Sequence, residues 1–322
     1  MRPPLLSVRD LVITIDRGGL IVRPVDGVSF DVGEGEVVGI AGESGSGKTL
    51  TLRSLLGLLP QGGVMTGDVA LRSEAGKVLR APLAGQGVAM VFQEPFLALN
   101  PTMRVGSIIA EGVRHRDGCT RAAAKARVLE LMGQVGLPDP ERQARMWPHQ
   151  LSGGLRQRVM IAVALSARPR VLLCDEPTTA LDVSVQDQIL GLLAQLRAET
   201  GMSIVFVTHD LAVLGELCDR VNVMYAGQIV ESGPVVDVFS HPVHRYTEAL
   251  LGSVPLLGRK VDRLAEVPGQ PPEPGHVAIG CRFAPRCPSA SPACSAPGIT
   301  SVEVGDSHRG SCVHPPSVGV NR

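Results

Sequence analysis

The sequence predicts an α/β fold in which short buried strands alternate with helices. Short apolar runs, typical of strands buried on both faces of a sheet, occur at residues 37–41, 88–92, 171–174 and 203–207. A glycine-rich stretch follows the first run, and apolar residues recur at helical spacing between the second run and the third. These observations favour a parallel sheet with a helical subdomain inserted between its strands.

A phosphate-binding loop is predicted after the first buried strand, because residues 42–49 match the pattern G-x-x-x-x-G-K-[ST]. Its residues are Gly42, Glu43, Ser44, Gly45, Ser46, Gly47, Lys48 and Thr49. The glycines let backbone N–H groups turn toward phosphates, Lys48 reaches the β and γ oxygens, and the Thr49 hydroxyl can ligate Mg²⁺. A helix predicted over residues 50–59 supports the match, because its N-terminal dipole favours an anion.

Composition limits the kind of partner. The 322 residues suffice for one large or two modest domains, and 31 basic residues balance 31 acidic ones. With no basic block and only 3% aromatic residues, no nucleic acid is expected as a partner. No apolar run approaches the roughly 20 residues of a spanning helix, and the N-terminus lacks a secretory signal pattern. The protein is expected to be soluble and cytoplasmic.

The flanking segments predict two further layers. Apolar and polar positions alternate over residues 5–36, which predicts an antiparallel β layer. Glycines at residues 62–63 and the Thr-Gly-Asp stretch at 66–68 are expected to break the chain, with short strands over residues 69–83. From Pro101 the apolar spacing becomes helical, which predicts a helical subdomain.

The end of this helical region carries a serine and two glycines. Ser152 is predicted to be the N-cap of a helix that continues through Ala167, with Gly153 and Gly154 in its first turn. Such a helix N-terminus can bind phosphate, and it is equally an ordinary helix cap. The local residues leave both interpretations open.

Polar side chains follow three of the buried strands. Gln93 ends one strand, Asp175 and Glu176 end the next, and His209 follows the last. Adjacent carboxylates after an apolar strand predict a magnesium-binding aspartate, Asp175, and a residue that orients or deprotonates an attacking water, Glu176. A solvated acidic loop is the alternative, and a lone His209 is more often structural than catalytic.

Taken in order, these elements resemble the ATP-binding subunit of ABC transporters. They are the loop at 42–49, Gln93, Leu-Ser-Gly-Gly at 151–154, Cys174-Asp175-Glu176, Ala180-Leu181-Asp182 and His209. The resemblance covers residues 5–240 and implies a P-loop NTPase with a RecA-like core, an antiparallel β subdomain and an α-helical subdomain over about residues 94–168. It implies an ATP-binding domain over residues 1–240 and a Pro-rich, Cys-containing C-terminal extension over residues 241–322.

The resemblance also implies roles for single residues. Gln93 contacts Mg²⁺ or its water and senses the membrane partner, so that Thr49, Gln93 and Asp175 are the implied magnesium residues. Ser152, Gly153 and Gly154 close over ATP bound to the other subunit of a dimer, Ala180-Leu181-Asp182 crosses that interface, and His209 contacts the γ-phosphate. Ile15 stands where the family usually stacks an aromatic residue on adenine.

More narrowly, the chain is similar to the oligopeptide, dipeptide and nickel importer branch. The similarity rests on the loop, on Phe92-Gln93-Glu94-Pro95, on the segment from Asp175 to Val183, and on Tyr246-Thr247-Glu248-Ala249-Leu250-Leu251. It implies an ATPase that energises import of dipeptides or oligopeptides. A nickel importer, a soluble ABC ATPase acting on DNA or ribosomes, and a non-hydrolysing regulatory cassette are the alternatives.

The same resemblance implies partners that this chain does not encode. They are two integral membrane permease subunits, a second ATP-binding subunit that is either a paralogue or a second copy, and an extracytoplasmic substrate-binding protein. The protein is therefore expected to be peripheral, at the cytoplasmic face of the inner or plasma membrane.

Four cysteines, Cys281, Cys287, Cys294 and Cys312, are clustered in the extension. Disulfides are not expected for an ATPase in a reducing compartment. Their spacing lacks the paired knuckles of zinc sites, and Cys287 precedes a proline as cysteines beside clusters often do, which favours [4Fe–4S] over Zn²⁺. Four unligated cysteines packed as small hydrophobes are the alternative. The extension is expected to lie far from Lys48 and Glu176.

Overall fold

The computed structural model describes residues 3–179, 181–253, 267–272, 279–297, 299, 302–304 and 307–316. The strands are β1 (Leu6–Arg17), β2 (Leu20–Val32), β3 (Val37–Ala41), β4 (Gly63–Arg72), β5 (Val78–Arg80), β6 (Val88–Val91), β7 (Val171–Asp175), β8 (Ser203–Val207), β9 (Arg220–Tyr225), β10 (Gln228–Pro234), β11 (Val302–Val304) and β12 (His308–Gly310). The helices are α1 (Lys48–Leu55), α2 (Pro95–Ala98), α3 (Val105–Asp117), α4 (Arg121–Gln134), α5 (Pro140–Gln143), α6 (Gly153–Ser166), α7 (Val183–Thr200), α8 (Leu211–Leu217), α9 (Val235–Ser240) and α10 (Arg245–Gly252).

The described residues group into two compact units. The first unit comprises residues up to 5, residues 33–36 and residues 71–206, and the second comprises residues 6–32, 37–70 and 207 onward. The predicted division at residue 240 between an ATP-binding domain and an extension stays a prediction.

The first unit contains parallel strands of the kind that the apolar runs predicted. In β6 and β7, Val88 lies opposite Val171 and Val91 lies opposite Cys174. Every residue of β7 and of β8 is buried, as expected for strands covered on both faces. The Ser203 hydroxyl at the start of β8 accepts from the Gly35 N–H at 2.9 Å and donates to the Gly33 carbonyl oxygen at 2.8 Å.

Helices α3, α4 and α6 of the first unit pack on one another through buried aliphatic residues. The sequence predicted helices in this region, and the structure confirms them. Thr120 caps α4 by accepting the Ala123 N–H at 3.3 Å, which satisfies one of the otherwise unpaired amides at the helix start. Within the described residues, no helix is both long and apolar enough to cross a membrane.

The second unit contains the predicted antiparallel β layer and most strands of the C-terminal half. Leu6 of β1 lies opposite Val32 of β2, so the pairing runs antiparallel over most of both strands. In β3 and β9, which are parallel, Ile40 lies opposite Asn222. Strand β10 pairs antiparallel with β9 on one side and with β12 on the other, and β12 pairs with β11.

Part of the C-terminal extension is thus built into the second unit as sheet. Glu231 of β10, which is 1% exposed, reinforces this by accepting the N–H groups of Val243 at 2.7 Å and His244 at 2.8 Å. Its Oε1 also lies 2.8 Å from Nε2 of His308 in β12. The buried carboxylate is therefore satisfied by three groups of the extension.

Two elements differ from the sequence prediction. Helix α1 ends at Leu55 rather than continuing to residue 59, because Gly57 takes φ +77° and the Leu58 N–H turns back to the Arg53 carbonyl oxygen at 2.9 Å. Strand β4 runs straight through the predicted break at residues 66–68. Gly67 does not form a turn there. It lets the backbone of β4 pass close to Asp10, because a Cβ on Gly67 would lie 2.5 Å from the Asp10 carbonyl oxygen.

Candidate functional site

The glycine-rich stretch forms a loop between β3 and α1, and two glycines make its shape possible. Gly42 has φ +152°, and a Cβ there would lie 2.2 Å from the carbonyl oxygen of Met224. Gly47 has φ +105°, and a Cβ there would lie 2.5 Å from the carbonyl oxygen of Pro24. A larger residue at either position would meet an unfavourable backbone conformation and a neighbouring backbone atom at once.

Lys48 lies within this loop, and its side chain is held by the loop itself. Its Nζ donates to the carbonyl oxygens of Gly42 at 2.8 Å and Glu43 at 2.9 Å. The positive charge therefore lies at the N-terminus of α1, where the helix dipole also favours an anion. The Ser46 hydroxyl oxygen is buried and has no hydrogen-bond partner among the described residues. A phosphate oxygen would satisfy it, so the loop fits the predicted ligand.

His209 lies in the second unit, just after β8. The preceding Thr208 N–H donates to the Ile40 carbonyl oxygen of β3 at 3.4 Å. The following Asp210 caps α8 by accepting the Ala212 N–H at 2.9 Å. His209 itself is exposed between these two fixed neighbours. Within the second unit, the strand end that carries His209 is therefore joined to the strand that leads into the loop.

The predicted acidic residues lie in the first unit beside Gln93. Asp175 ends β7 and is fully buried. Glu176 follows with φ +45°, a left-handed conformation that is uncommon for a residue other than glycine. Its Oε2 accepts the Gln93 amide at 3.3 Å and the Thr179 hydroxyl at 2.9 Å. The structure thus brings together the side chains of Gln93 and Glu176, which the sequence placed at the ends of different strands.

The serine–glycine stretch also lies in the first unit. Ser152 is the N-cap of α6 and accepts the Leu155 N–H at 3.4 Å, so the predicted cap is confirmed. Gly153 lines a pocket of about 410 Å³ together with Gln93 and Leu181. The guanidinium of Arg156 lies 5.4 Å from the centre of the Phe96 ring in the same pocket. The phosphate-binding role of Ser152, Gly153 and Gly154 stays a prediction.

Ile15 and Asp182, two further residues with predicted roles, lie in or directly beside regular elements of the structure. Ile15 is 8% exposed in β1 and lies opposite Val22, so as described it offers little surface for adenine. Asp182 caps α7, and the hydrogen bonds from the Val185 N–H and the Ser184 hydroxyl lower the pKa of its carboxyl group. Of the predicted interface stretch at residues 180–182, Ala180 lies outside the described residues.

The prediction that the extension lies far from Lys48 is wrong. Arg286 of the extension binds both carboxylate oxygens of Glu43, with N–O distances of 2.6 and 3.0 Å. Tyr246 accepts the backbone N–H of Glu43 on its hydroxyl at 2.8 Å. Sequence reasoning missed Arg286, Tyr225 and Tyr246. The available signal was that both tyrosines of the chain lie in its C-terminal third, one of them in the segment that carries the branch resemblance.

Burial around this contact shifts two pKa values. It raises the pKa of the Tyr246 hydroxyl well above its usual value, and it lowers the pKa of His244 to about 4. His244 is therefore neutral near pH 7. Its Nδ1 accepts the Tyr246 N–H at 3.0 Å, which leaves the ring proton on Nε2, 3.8 Å from the Cys281 sulfur.

The four clustered cysteines have free thiols, and the described structure does not form the predicted [4Fe–4S] or zinc site from them. Among the described residues, no group of three or more His, Cys, Asp or Glu side chains is placed to hold a metal ion. The Cys281 N–H donates to the Cys294 carbonyl oxygen at 2.8 Å, so part of the cluster is drawn together by backbone bonds. Burial raises the thiol pKa of Cys281 and of Cys312, which favours their uncharged form.

Two family profiles match this sequence in separate regions. The profile described as ABC transporter matches residues 25–179, which include the phosphate-binding loop and Glu176. The profile described as the C-terminal region of oligopeptide/dipeptide transporters matches residues 230–294, which include Tyr246 and Arg286.

Curated proteins are similar over nearly the whole chain. A putative peptide import ATP-binding protein of Brucella abortus is 45% identical over 300 residues, covering 91% of this chain and 90% of that protein. The dipeptide transport ATP-binding protein DppD of Haemophilus influenzae is 44% identical, covering 90% of this chain and 89% of that protein. The oligopeptide transport ATP-binding protein AppD of Bacillus subtilis is 43% identical, covering 90% of each chain.

Solved structures share the fold. An ATP-binding cassette dimer in a post-hydrolysis state, bound to ADP and Pi, superposes with a TM-score of 0.62 at 28% identity. The superposition covers 71% of this chain and 98% of that cassette. A second structure, CbiO1 of Clostridium perfringens, which is part of the ABC transporter complex CbiONQ, gives a TM-score of 0.60 at 26% identity, covering 74% of this chain and 91% of that one. The predicted α/β fold with a P-loop NTPase core is confirmed.

The loop geometry predicts different costs for alanine at two of its glycines. Gly45→Ala introduces only a left-handed alanine, because no atom lies within 4 Å of the new Cβ, and should cost about 1 kcal/mol. Gly47→Ala adds the clash with the Pro24 carbonyl oxygen and should cost about 1–3 kcal/mol more. Urea unfolding of the two full-length variants measures this difference, and equal midpoints would contradict the described packing of Gly47.

Proposed function

This chain belongs to the ABC transporter family of ATP-binding proteins, and on that premise we propose that it is the ATP-hydrolysing subunit of a peptide importer. One observation carries the proposal: a phosphate-binding loop with Lys48 held in it lies on the same chain as a C-terminal region of the oligopeptide/dipeptide transporter type. The family hydrolyses ATP, so the enzymatic activity is that of an ATPase.

Residues of the second unit would bind the triphosphate. The loop supplies backbone N–H groups, Lys48 supplies a positive charge, and the buried Ser46 hydroxyl supplies a polar group that needs a partner. His209 is exposed at a strand end and is proposed to contact the γ-phosphate. The order of motifs that the family shares supports this role for His209.

Residues of the first unit would serve hydrolysis. We propose that Glu176 orients the attacking water and accepts its proton, because its carboxylate is already fixed by Gln93 and Thr179. Gln93 and Asp175 carry amide and carboxylate oxygens, which are ligand types that Mg²⁺ prefers, and Thr49, in the loop of the second unit, carries a hydroxyl oxygen that can also ligate Mg²⁺. When bound, Mg²⁺ would neutralise charge on the phosphates.

The importer needs further chains. We propose two integral membrane permease subunits, a second ATP-binding subunit and an extracytoplasmic substrate-binding protein, with this chain peripheral at the cytoplasmic face of the membrane. The relatives named for peptide, dipeptide and oligopeptide transport support a peptide cargo over nickel. The two ATP-binding subunits would close on ATP and reopen after hydrolysis. This motion would be transmitted to the permeases.

The roles of Glu176 and Lys48 can be separated by two substitutions. Glu176→Gln should keep the dissociation constant for MgATP within about threefold of wild type while lowering kcat by about two to four powers of ten, since only proton transfer is lost. Lys48→Ala should weaken MgATP binding by about 10- to 100-fold, because it deletes a charged phosphate contact. Steady-state phosphate release and equilibrium nucleotide binding measure both, and near-normal turnover of Glu176→Gln would remove it from this role.

We further propose that Ser152 acts on nucleotide held by the other subunit of a dimer. At MgATP concentrations well below the raised dissociation constant of Lys48→Ala, Ser152→Arg and Lys48→Ala subunits should each be nearly inactive alone, yet a mixed homodimer keeps one intact composite site. An equal mixture should therefore recover about a quarter of wild-type ATPase activity if the two sites are independent. As a control, Ser152→Arg mixed with the double variant Lys48→Ala/Ser152→Arg has no intact site and should stay inactive. A first mixture as inactive as its parents would contradict action across a homodimer.

We also propose that Cys281, Cys287, Cys294 and Cys312 bind a [4Fe–4S] cluster, with Zn²⁺ as the alternative. Support comes from the clustering of the four cysteines in the sequence and from the backbone bond that the Cys281 N–H donates to the Cys294 carbonyl oxygen at 2.8 Å. The described positions do not fit a metal, so binding must draw the four sulfurs together. Anaerobic purification with iron, sulfide and zinc analysis and a visible spectrum decides: a brown protein with about four irons is expected, and a colourless protein would contradict the cluster.

A further inference from the structure

One arginine of the extension binds a side chain of the phosphate-binding loop directly. Both terminal nitrogens of Arg286 bind the two carboxylate oxygens of Glu43, and the arginine side chain is only 5% exposed. This paired geometry is the strongest form of an arginine–carboxylate contact. Glu43 is the second residue of the loop, so a residue 243 positions later in the sequence is bound directly to it.

The backbone of Glu43 is held from the same side and leads directly to Lys48. Its N–H donates to the Tyr246 hydroxyl at 2.8 Å, and its carbonyl oxygen accepts Lys48 Nζ at 2.9 Å. The same carbonyl oxygen accepts the Ser46 N–H at 3.2 Å. Any displacement of Glu43 would therefore move an acceptor of the lysine that binds phosphate.

Arg286 is itself fixed by its surroundings. Its Nε donates to the Pro268 carbonyl oxygen at 2.5 Å, and one terminal nitrogen lies 3.3 Å from the Tyr225 hydroxyl. The guanidinium lies 5.7 Å from the Tyr225 ring centre and 5.9 Å from that of Phe283. The Tyr225 and Tyr246 rings pack with centres 4.5 Å apart. The bond with Glu43 raises the pKa of Arg286 further, so it is always charged.

A second arginine of the extension supports the loop at another point. Arg282 donates to the Ala226 carbonyl oxygen and pairs with the Asp26 carboxylate. The next residue, Gly227, donates its N–H to the Ser46 carbonyl oxygen of the loop at 2.9 Å. Arg282 and Arg286 thus secure the two ends of the same short loop segment, directly at Glu43 and through the β9–β10 turn at Ser46.

We propose that Arg286 is a positioning residue for nucleotide binding, which acts through Glu43 to keep the loop and Lys48 in their binding geometry. The inference rests on the proposed ATP-binding function. Two effects contribute: the paired bonds fix the backbone of Glu43, and the guanidinium neutralises a carboxylate that lies in a loop for polyphosphate. Without Arg286, the uncompensated negative charge of Glu43 would repel the nucleotide.

The effects of substituting Arg286 and Glu43 should be interdependent, because the two side chains neutralise each other. Arg286→Gln should raise the dissociation constant and the KM for MgATP about tenfold, while kcat stays within about twofold, because Glu176 is untouched. Adding Glu43→Gln removes the uncompensated charge, so the double variant should return to within about threefold of wild type. Arg286→Lys keeps the charge but not the paired bonds and should lie between wild type and Arg286→Gln.

The measurements use the full chain, with equilibrium MgATP binding, KM, kcat and thermal unfolding recorded for each variant. Arg245→Gln is the matched control. Arg245 also binds the extension, donating to the His314 carbonyl oxygen at 2.9 Å and pairing with Glu248 at 2.9 Å, but it makes no bond with the loop that the structure describes. Its MgATP affinity should equal that of wild type.

The measurements distinguish a failure of the proposed ATP-binding function from a failure of the positioning role of Arg286. If wild type binds no MgATP, the proposed function fails. If wild type binds and a folded Arg286→Gln binds equally well, the positioning role alone fails. A double variant as weak as Arg286→Gln would contradict the charge effect, and an Arg245→Gln variant that is equally weakened would assign the loss of affinity to general loosening of the extension. If Arg286→Gln does not fold, Arg286→Lys decides, and wild-type affinity for it contradicts the proposal.

Discussion

The backbone of the phosphate-binding loop must turn through left-handed conformations while other backbone segments lie against it, and the second unit is built around that constraint. Gly42 lies against the carbonyl of Met224, and Gly47 against that of Pro24. The neighbours are backbone atoms, which cannot rotate away as a side chain would. Gly227, in the β9–β10 turn, connects these segments further. Its N–H donates to the Ser46 carbonyl oxygen of the loop, and its carbonyl oxygen accepts the Asp26 N–H of β2, both at 2.9 Å. The loop therefore follows β3 and packs against both β2 and β9.

The first unit meets a different requirement, because it positions a single carboxylate rather than a glycine-rich loop. Glu176 takes a left-handed conformation, which costs on the order of 1–3 kcal/mol at a residue with a Cβ. Its carboxylate is bound by Gln93 and Thr179, so its position does not depend on solvent. Backbone strain combined with a fixed carboxylate is typical of a group held for chemistry. The fully buried Asp175, directly before it, is fixed by β7.

The C-terminal extension is part of the phosphate-binding unit rather than an appendage to it. The exposed pair Arg9–Asp31, with side chains 46% and 38% exposed, is of the kind that contributes about 0–1 kcal/mol. Arg286–Glu43, at 5% and 25% exposed, is different, because removing one partner leaves a charge with little access to water. The guanidinium of Arg286 packs near the Tyr225 ring, which contacts that of Tyr246, and the carboxylate of Glu231 ties the extension to β10.

The sequence by itself determined the features that depend on neighbouring residues. The phosphate-binding pattern, the buried strands and the cap at Ser152 follow from local spacing, and the structure and the family confirm the fold that they predicted. The tertiary structure decided what no local pattern encodes. Gly67 was predicted to break the chain, yet it allows β4 to pass Asp10, a neighbour that is distant in sequence. The bond between Glu43 and Arg286 likewise joins residues 243 positions apart, and an exposed arginine and a buried one look the same in a sequence. Local propensity governs which element forms, whereas the packing of distant segments governs which charges are buried together.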